Sequence, residues 1–214
     1  MGPLSRTAAA INSNKQNSGR SLSTAAAFLV VLAMLAQPVF AQSSALVLPD
    51  GTTFIVESTD HGVVARPAAG STRPGGGKAS KADTNLRVAT RGASQTFVLG
   101  ARAFDKEGHR YLVLAVAKPS VKKQGTGFCG AGSEDHLLLV EWKPGSQKLA
   151  LRDDMLVQSC LNSMTLQSDQ GSDLSVVTQG ISQPEPLRLS WLTHPGFEGK
   201  TKIFVVVNGK WVAQ

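Results

Sequence analysis

"HLLLVEWKPGSQKLALRDDMLV" (His136–Val157) is the stretch that decides the fold. Leu138, Val140 and Trp142 fall on one face of an extended chain, and Leu137 and Leu139 fall on the other. A strand that is apolar on both faces must be covered on both sides, as at the centre of a sandwich. Pro144-Gly145 supplies a turn, and a second alternating run follows it, so the segment reads as a β-hairpin. Paired in register through Pro144 and Gln147, the hairpin sets His136 opposite Met155. That register brings Glu134-Asp135 and Asp153-Asp154 to the same end.

The same grammar extends in both directions. "TFVLGARAFDKEGHRYLVLAVA" (Thr96–Ala117) is a hairpin turning at Asp105–Gly108, and "SALVLPDGTTFIVES" (Ser44–Ser58) is strand, Pro-Asp-Gly turn, strand. "LNSMTLQ", "DLSVVTQ" and "PLRLSWL" read as shorter strands. The chain closes with "KTKIFVVVNGKWVAQ", whose Asn208-Gly209 is a strong two-residue hairpin signal. No helical stripe stands out. Trp142, Trp191 and Trp211 sit in apolar alternation and are read as core residues. The expected architecture is all-β: an antiparallel sandwich or strongly curved sheet of about ten strands built from hairpins, with one disulfide.

Residues 1–41 read as an export signal. Arg6, Lys15 and Arg20 make a basic, acid-free start, an apolar run spans Ala25 to Ala36, and Val39-Phe40-Ala41 suits cleavage before Gln42. The run is shorter than the ~20 residues a spanning helix needs. With no twin-arginine pair and no cysteine near the cleavage point, the general route without lipid anchoring is expected. Cleavage leaves 173 residues and lowers the net charge from +7 to +4. The basic balance is then too small to argue for a nucleic-acid partner. Residues 42–61 are expected to form an N-terminal hairpin and 92–214 the main β-domain. Between them, 62–91 is rich in Gly, Ala, Pro and Ser and reads as a linker or mobile loop. Arg66, Arg73, Lys78, Lys81, Arg87 and Arg91 would make that stretch an electrostatic tether toward an anionic surface.

The two cysteines, Cys129 and Cys160, are most simply one disulfide in an oxidising compartment. Closing a loop of about 30 residues would stabilise the fold by roughly 3–4 kcal/mol. Cys129 lies in "GTGFCGAGSEDHLLLVEW" (Gly125–Trp142), which tempts toward several activities. Gly125, Gly127 and Gly130 satisfy G-x-G-x-x-G, but a strand rather than a helix follows, so nothing presents amides to a pyrophosphate. A paired Cys129 is no nucleophile for His136, and Ser133 lacks the strand–turn–helix setting of a nucleophile elbow. His61, His109 and His194 sit in or beside turns without partners at ligand spacing and are read as surface residues. Phe128, Ser133, Glu134, Asp135 and His136 remain as a candidate binding loop held in shape by the disulfide.

The functional expectation is a non-enzymatic β-domain, periplasmic or secreted, that binds an envelope or extracellular protein or glycan and needs no cofactor. The alternative is an exported hydrolase or metal-binding protein using Glu134, Asp135 and His136 with Asp153 and Asp154.

Overall fold

Alternating residues produce thirteen strands among the described residues. The computed structural model describes residues 43–48, 51–59, 62–69, 79–120, 132–143, 148–167, 174, 178, 181, 183–197 and 199–214. The expected export signal therefore lies outside the described residues. In chain order the elements begin with strands β1 (Ser43–Val47), β2 (Thr53–Thr59), β3 (Gly62–Pro67) and β4 (Ser80–Ala82). Helix α1 (Thr84–Thr90), strand β5 (Gln95–Val98), a 3-10 turn (Leu99–Ala101) and β6 (Phe104–Lys106) follow. Three long strands come next, β7 (His109–Pro119), β8 (Ser133–Lys143) and β9 (Lys148–Ser159). The chain ends with β10 (Thr165–Leu166), β11 (Leu187–Thr193), β12 (Thr201–Val207) and β13 (Lys210–Ala213).

Turn chemistry sets the hairpins. Glu107 and Gly108 join β6 to β7 with φ of 52° and 77°, and Asn208 and Gly209 join β12 to β13 with φ of 50° and 71°. Two consecutive residues with positive φ match the right-handed twist of the flanking strands. Lys106 consequently pairs with His109, and Val207 with Lys210.

Nine strands form one sheet in the order β1-β2-β3-β4-β9-β8-β7-β5, with β6 also on β7. The sheet curls until its ends meet. Val47 bridges Arg102, and Ala103 N donates to Val47 O at 3.1 Å, so the sheet is nearly closed. Inside it, Leu112, Leu114 and Val116 of β7 and Leu138, Val140 and Trp142 of β8 cluster with Leu46, Phe54, Val56, Val63 and Leu149. The opposite faces of β7 and β8 carry Tyr111, Val113, Ala115, Leu137 and Leu139. These cluster with Leu187, Leu189, Trp191, Phe204 and Val206 of the four-stranded sheet β10-β11-β12-β13. The central strands are thus buried on both faces, as their composition requires.

Four expectations are corrected. The fold is mostly, not wholly, β, because Asp83 caps α1 by accepting from Leu86 N at 2.7 Å while Leu86 and Ala89 enter the interior cluster. The sheet is not wholly antiparallel, since β4 runs parallel to β9 through Lys81↔Lys148 and Ala82↔Leu149. The stretch 62–91 is no continuous linker. It holds β3, β4 and α1, with Val63 and Ala65 buried in the same core as β1 and β2, while residues 70–78 lie outside the described residues. Finally, Leu174 and Thr178 of "DLSVVTQ" are helical, with Thr178 Oγ1 donating to Leu174 O at 2.6 Å; the intervening residues lie outside the described set.

His194, at the β11–β12 turn, is not a free surface residue. Its Nδ1 accepts from Gly196 N at 2.9 Å and Phe197 N at 3.1 Å, and its ring stacks on Phe197 at 4.5 Å between centroids. Burial pushes its imidazole below the ordinary histidine value. Protonation would turn that acceptor toward two N–H groups as a donor. The folded chain holds this proton less tightly than the unfolded one, so the contribution is complete above the ordinary imidazole range. It is lost as pH falls through the lowered folded value. His194→Leu should therefore be less stable than the parent by about 1 kcal/mol near neutral pH, with the gap narrowing in acid. Urea midpoints across the range test this, and a gap that stays constant would refute it.

Candidate functional site

Two places gather chemistry. The first is the base of the β7–β8 connection. Pro119 pairs with Ser133, and Ser120 N donates to Gly132 O at 2.9 Å. The Glu134 carboxylate accepts from Ser120 Oγ at 2.7 Å and from Leu161 N at 3.4 Å. Cys160 N donates to Ser133 O at 3.4 Å. Gly132 packs so closely on Cys160 that an added Cβ would stand 2.7 Å from the cysteine Cβ. The two feet of the connection are therefore tied to each other, and the Gly132–Glu134 foot is tied in turn to Cys160 and Leu161 at the end of β9. Phe128 and Cys129 lie outside the described residues. No cysteine among the described residues is a free thiol.

Along β8 the expected residues separate by face. Asp135 is fully buried and accepts from Gln158 Nε2 at 2.9 Å on the side of the four-stranded sheet. His136 lies on the other side, and its Nδ1 meets Asp154 Oδ1 at 2.6 Å. The β8–β9 register accounts for this pairing. It runs as expected from Lys143↔Lys148 to Val140↔Leu151, then shifts by one residue at each of two bulges. His136 therefore faces Leu156 rather than Met155, and Asp154 faces Leu138. The shift also decides which of the two adjacent acids shares the face of His136. Asp153 turns to the opposite face, where its Oδ2 accepts from Trp211 N at 2.8 Å. Among the described residues, no group of three or more His, Cys, Asp or Glu is arranged to hold a metal ion.

The described basic residues of 62–91 sit on separate elements. Arg66 sits on β3 with its Nε 3.4 Å from Glu57, and Lys81 sits on β4. Arg87 donates to Thr84 Oγ1 on α1, and Arg91 follows at its C-cap. Arg73 and Lys78 lie outside the described residues.

The second place was not expected. Glu141 of β8 is 1% exposed and gathers three basic side chains. Its Oε1 meets His109 Nδ1 at 2.8 Å and lies 3.6 Å from Lys143 Nζ, while Oε2 accepts from Arg152 Nε at 2.6 Å and also from Arg152 Nη2. Burial pushes the Glu141 carboxyl up. The hydrogen bonds from His109 and Arg152, with the charges of Arg152 and Lys143, outweigh that and hold it below the ordinary value. Tyr111, paired with Glu141 across β7–β8, is pushed the other way, first by burial and then by the Glu141 charge. Arg152 occupies the residue skipped between Leu151 and Asp153 in the β8–β9 register. The bulge, invisible in the residue pattern, aims it at Glu141. A glutamate inside an apolar strand was the available signal, since an ionised group there requires partners.

No protein-family model, curated protein or solved structure matches the chain.

Proposed function

We propose that the chain is an exported, non-enzymatic β-domain, periplasmic or secreted, which binds an envelope or extracellular protein or glycan through the β7–β8 connection. The observation that carries this reading is the clamped base of that connection, where Ser120, Gly132, Ser133 and Glu134 are tied to one another and to Cys160–Leu161. Feet fixed on long, doubly buried strands hold the two ends of the connection in place for a partner. A Cys129–Cys160 disulfide would complete the staple, and that Cys160 is not a free thiol is in keeping with it. The four-stranded sheet clustered against β7 and β8 supports the sandwich form of the fold reading.

The test is capture from envelope extract on the full chain, compared with a chain carrying Phe128→Ala and Ser133→Ala. A discrete partner retained by the parent and lost by the variant is expected. Equal retention by both would remove the loop from the reading.

A second reading, a hydrolase or metal-binding protein, draws support from the His136–Asp154 contact at 2.6 Å. It requires stoichiometric zinc or calcium on the purified chain, lost on His136→Ala or Asp154→Asn.

A further inference from the structure

We propose that a row of lysines across β8, β9 and β4 is a binding site for closely spaced phosphate groups, carried on one small molecule or side by side on a lipid surface. Lys143 pairs with Lys148 across β8–β9, and Lys148 pairs with Lys81 across β9–β4. Partners in register share a face, and neighbouring strands stand about 4.8 Å apart, so the three side chains rise together within about 10 Å. Their neighbours Trp142, Leu149 and Ala82 belong to the interior cluster, which turns all three lysines outward, where each is exposed. The β7–β8 connection supplies none of these residues, so the proposal stands independently of what that connection binds.

The charge there stays positive after its pairings are counted. Glu57 is taken by Arg66 at 3.4 Å, and the Asp83 side chain caps α1. Glu141 holds His109 and Arg152 and lies 3.6 Å from Lys143 Nζ, so Lys143 adds charge to the row but is not its open donor. Arg66, Lys81, Lys143, Lys148 and Arg152 thus stand against three carboxylates, an excess of two positive charges. That excess sits on Lys81 and Lys148. Among the described residues neither one enters an ion pair, so both ammonium groups are open to a ligand.

The row is a product of topology, since Lys81 and Lys148 meet only because β4 joins β9 in parallel. Like charges set directly opposite one another on a sheet repel. A multivalent anion laid across the row relieves that repulsion at two ammonium groups at once. Lysine also decides the class of anion. Its ammonium is a compact point charge with three donors that meets phosphate oxygens from any side, whereas the planar fork that selects a carboxylate belongs to arginine. The backbone beneath is strand on all three sides, so the site needs no loop to be ordered on binding.

Two arms test the proposal on the full chain at constant ionic strength: calorimetric titration with inorganic pyrophosphate, and co-sedimentation with vesicles of phosphatidylglycerol or of phosphatidylcholine. Saturable binding of pyrophosphate alone assigns the row to a free phosphate compound. Retention on phosphatidylglycerol alone, with none on phosphatidylcholine, assigns it to a lipid surface. In whichever arm binds, Lys81→Gln and Lys148→Gln should each weaken binding about fivefold or more. Lys210→Gln on β13 removes the same charge elsewhere and should leave binding unchanged. Both row variants replace exposed side chains and relieve repulsion, so they are expected to fold as the parent does. No binding in either arm, or a loss no greater for the row variants than for Lys210→Gln, overturns the proposal.

Discussion

Trp142→Ala should destabilise the fold by about 3–5 kcal/mol, among the largest effects a single core substitution produces. Trp142 is 2% exposed and stands edge-on to Phe54, with centroids 4.5 Å apart and planes at 88°. Its Nε1 donates to Ser80 Oγ at 3.2 Å. One side chain thus links β8 to β2 by ring contact and to β4 by a hydrogen bond. Truncation leaves a cavity inside the nearly closed sheet and a buried hydroxyl without its donor. Trp142→Phe keeps an aromatic ring but leaves a smaller void and loses the Ser80 bond, so about 1–3 kcal/mol is expected. Urea unfolding measures both, and the phenylalanine variant remains readable even where the alanine variant does not fold. An alanine cost under about 1 kcal/mol would mean the interior collapses around the gap, against the close packing described above.

The second large effect belongs to Glu141→Gln. The amide keeps the shape of the carboxylate and removes the charge that His109, Arg152 and Lys143 share. Breaking a buried ion pair by removing one partner costs about 3–5 kcal/mol. Here the three basic groups are each roughly half exposed and can take up water, so about 2–3 kcal/mol is the expectation. A pH signature separates this from a packing defect. The Glu141 carboxyl is held below its ordinary value in the folded chain. Its contribution is therefore complete above the ordinary carboxylate range and is lost as pH falls through the lowered folded value. Parent and Glu141→Gln stabilities should converge in acid and differ most near neutrality. A difference unchanged down to acid would assign the loss to shape rather than charge.

Much of the fold was legible where residue type and period agree. The two faces of β8 follow from Leu137 to Trp142 alone, and the β6–β7 and β12–β13 hairpins follow from Glu107-Gly108 and Asn208-Gly209. What escaped was short or register-dependent. β3, β4 and α1 are hidden in 62–91 because a composition averaged over thirty residues dilutes Val63, Ala65, Leu86 and Ala89, each of which is buried. Asp83, a good N-cap residue two positions before an asparagine-leucine pair, was the local signal for α1. The candidate sites depended on bulges. Adjacent acids on a strand do divide between faces, as Glu134 and Asp135 show, but a bulge alone decides that Asp154 meets His136 and Arg152 meets Glu141. His109 offered no sequence signal, because its partner is thirty-two positions away and is set by β7–β8 pairing.

The junction of β4 with β9 also dictates an order of events in time. Strands β7, β8 and β9 are sequential neighbours, and each can pair as soon as the next has been made. β4 is different, because the neighbour that continues the sheet beyond it is Lys148-Leu149, late in the chain. Contacts of such long separation require loop closure before they return any stabilisation, so they form slowly. Until β9 exists, the hairpin of β1 and β2 and its extension β3 have one face of Leu46, Phe54, Val56 and Val63 with nothing from β8 or β9 to cover it. A chain emerging from its amino end therefore carries an open apolar half-shell until β8 and β9 have been made, and the meander β7–β8–β9 is the lid that completes it.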